Sequence, residues 1–311
     1  MSSELPAEDL EEIVSHFSSL LHVLTHDARG ERPSGMRDML IDRLRDALDR
    51  RLPRLSSDNP AFIAGSFLLE TVVHRRERIE IGRLRHRDLG TLHALKTVIA
   101  DRADDAVARR LLLREARIGM ALRHPRLVHI QMALRLVDGR PAIIMEWAGE
   151  PLSQRLSSAG SVSTRDCLQA MRGLLSGLQA IHATGYVHCD ISPGNLLLPA
   201  SDISGLKIAD FGVALEQGGR HRDLEIKIAG TLPFMAPEQA DDAAADPRSD
   251  LYSAGRVLSA LLERCEEMGR HVEEIGAFAG HLAERKPSLR PASAQVALDL
   301  LDELGKTVAH S

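Results

Sequence analysis

The chain is 311 residues long, 44% hydrophobic and 27% charged, with a formal net charge of −5, which is apolar material enough for a sizeable core plus a modest extension. The slight acidity excludes the basic footprint of a nucleic-acid binder. Three scattered cysteines, Cys167, Cys189 and Cys265, offer neither a disulfide framework nor a spaced zinc site and point to a reducing compartment. Fourteen histidines show no close metal-ligand spacing. Residues 1–10 are acidic and precede no continuous apolar run, and no stretch is long and apolar enough to span a bilayer. The expected residence is cytoplasmic, although an injected effector with an uncleaved signal would look the same. Positive charge is carried overwhelmingly by arginine, a compositional hint of a GC-rich bacterial genome.

Residues 1–58 stand apart. Leu10, Ile13, Val14, Phe17, Leu20, Leu21 and Leu24 form one helical stripe, and Met36, Leu40, Leu44, Leu48 and Leu52 a second, after a turn at Gly30 to Gly35. This pattern predicts a helical hairpin that regulates or braces the rest of the chain, dimerises, or binds a partner. Residues 59–148 read as a small sheet lobe, with strands at Phe67 to Val73, Arg78 to Arg85, Leu92 to Ala100, Val128 to Leu136 and Ala142 to Glu146. Lys96, in Ala94-Leu95-Lys96-Thr97-Val98, lies in the third of these and is the only lysine before Lys207. Leu111, Glu115, Ile118 and Leu122 recur at three- and four-residue steps, predicting a helix that ends before His124-Pro125 and turns Glu115 toward that strand. Glu115 lies 115 − 96 = 19 positions after Lys96. Residues 149–311 read as a mostly helical larger lobe.

Three motifs come in fixed order: His188-Cys189-Asp190-Ile191-Ser192-Pro193-Gly194-Asn195, Asp210-Phe211-Gly212, and Met235-Ala236-Pro237-Glu238. Gly230-Thr231, Asp250 with Ser253 and Gly255, and Arg290-Pro291 accompany them. With Lys96 and Glu115 upstream, the set resembles a eukaryotic-like (Hanks-type) serine/threonine protein kinase of bacterial kind.

That resemblance implies an α+β bilobal fold and transfer of the γ-phosphate of ATP to a protein hydroxyl, with magnesium or manganese as the metal. It implies that Asp190 is the base, that Asn195 and Asp210 hold the metal, and that Lys96, paired with Glu115, holds the α- and β-phosphates. Thr231 would contact Asp190. Met145 falls at the gatekeeper position, so Glu146-Trp147-Ala148 would be the hinge whose backbone reads the adenine edge, with Ala94, Ile81 and Leu197 as apolar faces about the ring. Glu238 with Arg290, and Asp250 with the catalytic loop, would be structural anchors.

Departures from the family pattern carry expectations of their own. The phosphate-covering hairpin has His74, Arg76 and Ile79 at its three glycine positions, which should loosen that cover. Ser192 replaces a lysine that steadies the γ-phosphate, and its loss should slow chemistry. Cys189 replaces the arginine that pairs with a phosphorylated activation segment, and residues 213–229 contain no serine, threonine or tyrosine. Activity is therefore expected to be independent of phosphorylation there, with Cys189 a buried filler. Asp250 and Arg290 are 290 − 250 = 40 residues apart, short enough to omit a helix that often docks protein substrates. Gly119, four positions after Glu115, predicts a hole that the extension helps to close. Two alternatives stay open: a nucleotide-binding pseudokinase scaffold, and a small-molecule kinase, since His-x-Asp with Pro-Gly-Asn also resembles aminoglycoside and choline kinases. Phe211-Gly212 and Ala236-Pro237-Glu238 weigh against the latter.

Overall fold

A computed structural model describes residues 7–27, 30–33, 35–37, 39–41, 44, 62–158, 161–225 and 230–309. The chain divides into two compact units, residues 1–61 and 62–311.

In the first unit the first apolar stripe forms helix α1 (Ala7–Thr25), and β1 (His26–Asp27) pairs with β2 (Gly30–Glu31) at its end. The predicted second stripe reaches the described residues at Met36, Leu40 and Leu44, while Leu48 and Leu52 lie outside them.

The second unit begins with an antiparallel sheet built from β3 (Phe62–Ile63), β4 (Phe67–Arg75), β5 (Ile79–His86), β6 (Leu92–Val98), β7 (Ile130–Arg135) and β8 (Pro141–Glu146), in the order β3-β4-β5-β6-β8-β7. Alternation along β6 divides its side chains between two apolar clusters: Ala94 and Val98 join Ile143 and Met145, whereas Leu95 joins Phe67 and Leu84 on the other face. Lys96 is in phase with Ala94 and Val98. The helix α2 (Ala106–Ala121) crosses that same face, started by Asp105, whose carboxylate accepts from the Ala108 N–H at 2.9 Å. Its buried stripe, Ala108, Leu112, Glu115, Ala116, Ile118 and Gly119, turns Glu115 inward, as three- and four-residue steps require.

The larger lobe is centred on α4 (Thr164–Ala183), opened by a capping box between Ser163 and Asp166. Before it come β9 (Glu150–Pro151) and α3 (Leu152–Ser157). After it come short strand pairs, β10 (Tyr186–Val187) with β13 (Leu215–Glu216), and β11 (Leu196–Leu198) with β12 (Lys207–Ile208). The helices α5 (Pro237–Ala240), α6 (Pro247–Leu262), α7 (Arg270–Leu282) and α8 (Ala294–Ala309) complete it. Met171, Leu174, Leu178, Leu251, Leu258, Ile275 and Leu301 lock α4, α6, α7 and α8 into one core. Between α6 and Arg290 the described residues hold a single α-helix, α7, packed on α6 and α8. No helix among the described residues is long and apolar enough to cross a membrane.

The hole expected at Gly119 is not there. A Cβ on Gly119 would collide with the Ile130 side chain, with Cγ1 at 2.9 Å, and would stand 3.3 Å from the Phe211 ring. Ile130, reaching in from β7, fills the column that a larger residue at position 119 would occupy, so the glycine is required by its neighbour.

Candidate functional site

Lys96 is held between two carboxylates. Its Nζ donates to Glu115 Oε1 at 2.9 Å and Oε2 at 2.8 Å, and lies 2.9 Å from Asp210 Oδ1. Lys96 and Glu115 are buried, 6% and 3% exposed, whereas the Asp210 side chain is 39% exposed. Burial alone would weaken the Lys96 charge, but Asp210 and Glu115 carry its pKa above the ordinary lysine value. Burial pushes the Glu115 carboxyl up to about 7 against the pull of Lys96. Asp210 is also opposed by burial, yet Lys96 and a hydrogen bond from the Gly212 N–H at 3.1 Å keep it below the usual carboxylate range. Asp210 has φ +68°, a left-handed backbone that is uncommon for a non-glycine residue and concentrates at functional sites.

The loop carrying Asp190 is fixed from beneath. Asp250, fully buried on α6, accepts from the His188 N–H at 2.8 Å and the Cys189 N–H at 2.9 Å, and contacts His182 Nε2 at 2.8 Å. His188 packs edge-on to Phe211, ring centres 5.5 Å apart, with Nε2 3.1 Å from the Ala209 carbonyl. Cys189 is buried among Val187, Leu215 and Ala245 with φ +66°, and burial pushes its thiol well above the ordinary value. Above this base, Asp190 accepts at both oxygens: Thr231 Oγ1 donates to Oδ1 at 3.0 Å, and Asn195 Nδ2 to Oδ2 at 2.7 Å. Burial raises the Asp190 carboxyl above its ordinary value, and the Asp210 charge adds to the effect. Ser192 is buried, and its Oγ lies 3.4 Å from Thr231 Oγ1. No pattern in the sequence signals this contact.

The donor set fits a hard divalent cation. Asn195 uses Nδ2 on Asp190 and its backbone C=O on the Ala209 N–H at 2.8 Å, which leaves Oδ1 for a ligand beside the ionised Asp210. No cluster of three or more His, Cys, Asp or Glu side chains that could by themselves hold a metal occurs among the described residues.

An apolar seat for a flat ring adjoins this group. Ala94, Ile81, Leu197, Met145 and Ala148 belong to one cluster. The Glu146 N–H is bonded to the His129 carbonyl at 3.0 Å, whereas the Ala148 N–H and C=O meet no protein partner among the described residues. The Glu146 carboxylate turns away from the seat, accepting from the His129 N–H at 2.8 Å and from Lys207 Nζ at 2.7 and 2.8 Å. Lys207, on β12, thereby ties the larger lobe to the hinge. His74, in β4 opposite Ile81, and Arg76, in the turn that follows, are exposed, and the Arg76 N–H is bonded within the hairpin to the Ile79 carbonyl at 2.9 Å.

Charged side chains also hold the segment after Asp210. Arg110 of α2 pairs with Glu225 at 3.0 Å, and Glu238 is gripped by Arg290 at 2.6 and 2.9 Å.

Residues 80–298 match the protein kinase domain family. The chain is 32% identical over 220 residues to the probable serine/threonine-protein kinase PknB of Bifidobacterium longum, covering 67% of this chain and 32% of that protein. It is 38% identical over 127 residues to the serine/threonine-protein kinase PknL of Mycobacterium tuberculosis, covering 40% and 31%. It thus spans about a third of the length of these relatives. The kinase domain of Mycobacterium tuberculosis PknI superposes with a TM-score of 0.58 at 19% identity, over 81% of this chain and all of that one, a likeness of fold. With the family matched across most of its length, Lys96 paired with Glu115 and Asp210, and Asp190 with Asn195, this chain belongs to the protein kinase domain family.

Proposed function

We propose that the chain is an ATP-dependent serine/threonine protein kinase, using magnesium or manganese, that works without phosphorylation of its activation segment. The observation that carries this reading is the grip of Glu115 and Asp210 on Lys96, with Asp190 and Asn195 hydrogen-bonded beside it. Lys96 would hold the nucleotide phosphates, and Asp210 and Asn195 the cation. The cation, when bound, supplies charge neutralisation to the phosphate oxygens. Asp190 accepts the proton of the protein hydroxyl, oriented by Asn195 and Thr231 and raised in basicity by burial. Ala94, Ile81 and Leu197 sandwich the adenine, and the Glu146 carbonyl and the Ala148 backbone read its edge. The matched relatives are named serine/threonine kinases, and Thr231 beside Asp190 supports the same specificity here.

Radiolabel transfer from ATP to the chain itself, to a generic basic protein and to small alcohols tests the assignment, with Asp210→Ala as the blank. Label on protein alone is expected. ATP binding with no transfer would favour a pseudokinase scaffold, a reading that the solvent-facing His74 and Arg76 support. Residues 1–58 we read as a regulatory, bracing or dimerising extension, because Val14, Phe17 and Leu21 of α1 are exposed apolar side chains. Loss of self-association in Phe17→Glu would support the dimerising role.

A further inference from the structure

Helix α4 is tied to α6 and the chain beyond it at both of its ends. At the end beneath the catalytic loop, His182 Nε2 lies 2.8 Å from Asp250. At the other end the link between α6 and α7 meets the start of α4. There the Val162 N–H donates to the Arg264 carbonyl at 3.0 Å, and the Glu267 carboxylate accepts from the Thr164 N–H at 3.1 Å and from Thr164 Oγ1 at 2.6 Å. Two of the chain's three cysteines lie at this second end. Cys265 stands between Arg264 and Glu267, the two residues that make those contacts. Cys167 follows Thr164 by three positions on the same buried face of α4, a step that leaves helical Cβ atoms about 5–6 Å apart. It is therefore turned toward the segment that carries Cys265. Electrostatics agree: burial pushes the Cys167 thiol up to about 12, and Cys265 adds more to that rise than Asp166 does, although Asp166 adjoins Cys167 in sequence. Cys167 is fully buried and Cys265 half-buried, while Cys189 sits elsewhere, among Val187, Leu215 and Ala245.

We propose that Cys167 and Cys265 are an oxidisable thiol pair, which hydrogen peroxide converts into a disulfide that staples the start of α4 to the α6–α7 link. Cys265, the more accessible thiol, reacts first. Its sulfur, as the thiolate, attacks one peroxide oxygen, the O–O bond breaks, and the other oxygen leaves as hydroxide, giving a sulfenic acid. The Cys167 sulfur then displaces hydroxide from that sulfenic sulfur, and the Cys167 proton leaves with it as water. Two thiols and one peroxide thus become one disulfide and two waters, the thiols giving up two electrons. The division of labour follows from burial: a thiol kept neutral inside the core is a poor nucleophile toward dilute peroxide, whereas attack on a sulfur fixed beside it is intramolecular. The bridge closes a loop of 265 − 167 = 98 residues, long enough to restrict the unfolded chain strongly. It lies away from the reacting groups, because Cys167 and His182 are 182 − 167 = 15 positions apart on one helix, about 22 Å along its axis. The staple hardens the larger lobe and leaves the geometry of the site alone. In a reducing compartment it forms under oxidant and reverts afterwards.

The test is mass spectrometry on the full chain after brief treatment with hydrogen peroxide, the remaining thiols being blocked with N-ethylmaleimide in denaturant before digestion without reductant. A cross-linked peptide pair carrying Cys167 and Cys265 is expected, with Cys189 alkylated. The unfolding midpoint of the oxidised chain is expected to rise by at least about 5 °C and to return with dithiothreitol. Cys265→Ser should remove both the bridge and the rise, and leave Cys167 unoxidised. Cys167→Ala should leave Cys265 as a sulfenic acid that dimedone captures. Cys265 is half-buried, so its serine variant keeps the test valid if Cys167→Ala fails to fold. Absence of the bridge, a bridge to Cys189 or between two chains, or a rise that survives in Cys265→Ser would overturn the proposal, and a bridge without the rise would overturn the staple. None of these readouts needs phosphotransfer, so the proposal stands or falls separately from the catalytic reading.

Discussion

Ile130 and Gly119 share one column of the kinase core: the Ile130 side chain occupies the space in which any Cβ at position 119 would sit, and Phe211 closes the column from the other side. Gly119→Ala is therefore expected to destabilise the fold by about 1–3 kcal/mol through overpacking, even though alanine favours a helix interior by about 1 kcal/mol over glycine. Adding Ile130→Val, which removes the clashing Cδ1, should recover part of the loss. Urea unfolding of the wild type and the two variants checks this, and a stabilised Gly119→Ala would contradict the packing account.

A feature is legible in the sequence to the extent that it depends on residue type and spacing alone. Lys96, Glu115, Asp190, Asn195 and Asp210 announce themselves because phosphoryl transfer requires particular residue types in a particular order, and period and spacing place them on strand, helix and loop. The Gly119 expectation failed for a physical reason: a vacancy in one element can be filled by a residue from another, and Ile130 is a strand residue with no pattern linking it to α2. Lys207 reaching Glu146, and Arg110 reaching Glu225, were likewise invisible, because tertiary contacts between exposed or half-exposed charges leave no periodicity behind. The strand pairing of β4 and β5 was legible, whereas its bulges between Leu69 and Thr71 and between Val72 and His74 were not.

Lys96→Met and Asp210→Ala are each expected to lower phosphotransfer by at least about 10²-fold, since the first removes the ammonium that meets phosphate charge and the second a carboxylate that would hold the cation doing the same. The fold should survive both. Without Lys96, the carboxyl of Glu115, already raised by burial, takes up a proton and remains a buried neutral acid. Asp210 is partly exposed and can be replaced without leaving a large cavity. Circular dichroism with single-turnover transfer separates the two effects, and near-wild-type transfer in either variant would reject the assigned roles.

Glu115 gives opposite pH trends for activity and stability. Its carboxyl ionises near 7 in the folded chain, against 4.5 ordinarily. Below 4.5 it is protonated in both states; between 4.5 and 7 the folded state keeps a proton that the unfolded state has released, so its contribution to stability falls as pH rises through that window. Activity should run the other way, rising toward pH 7 as the ionised carboxylate pairs with Lys96. The measurement is the unfolding midpoint at several pH values for wild type minus Glu115→Gln, together with the wild-type rate profile. A stability difference that grows with pH would show the sign to be wrong.

Thr231 is the hydroxyl on which the phosphorylation-independent reading can be tested most sharply. Its Oγ1 donates to Asp190 and reaches Ser192, so it orients the base from the activation segment's end. A phosphate there would delete that donor and set a dianion against the carboxylate, lowering the rate, whereas Cys189 has no charge with which to hold it. Phosphatase treatment of the purified chain should therefore leave the initial rate unchanged or raise it, never lower it. Thr231→Ser should keep the donor and most of the rate, while Thr231→Val should lose about 10- to 100-fold in kcat with little change in KM for ATP, because the base is misoriented while the nucleotide site is untouched. A phosphatase-induced loss of rate that maps to Thr231, or a fully active Thr231→Val, would each show that the segment is held by something other than this hydrogen bond.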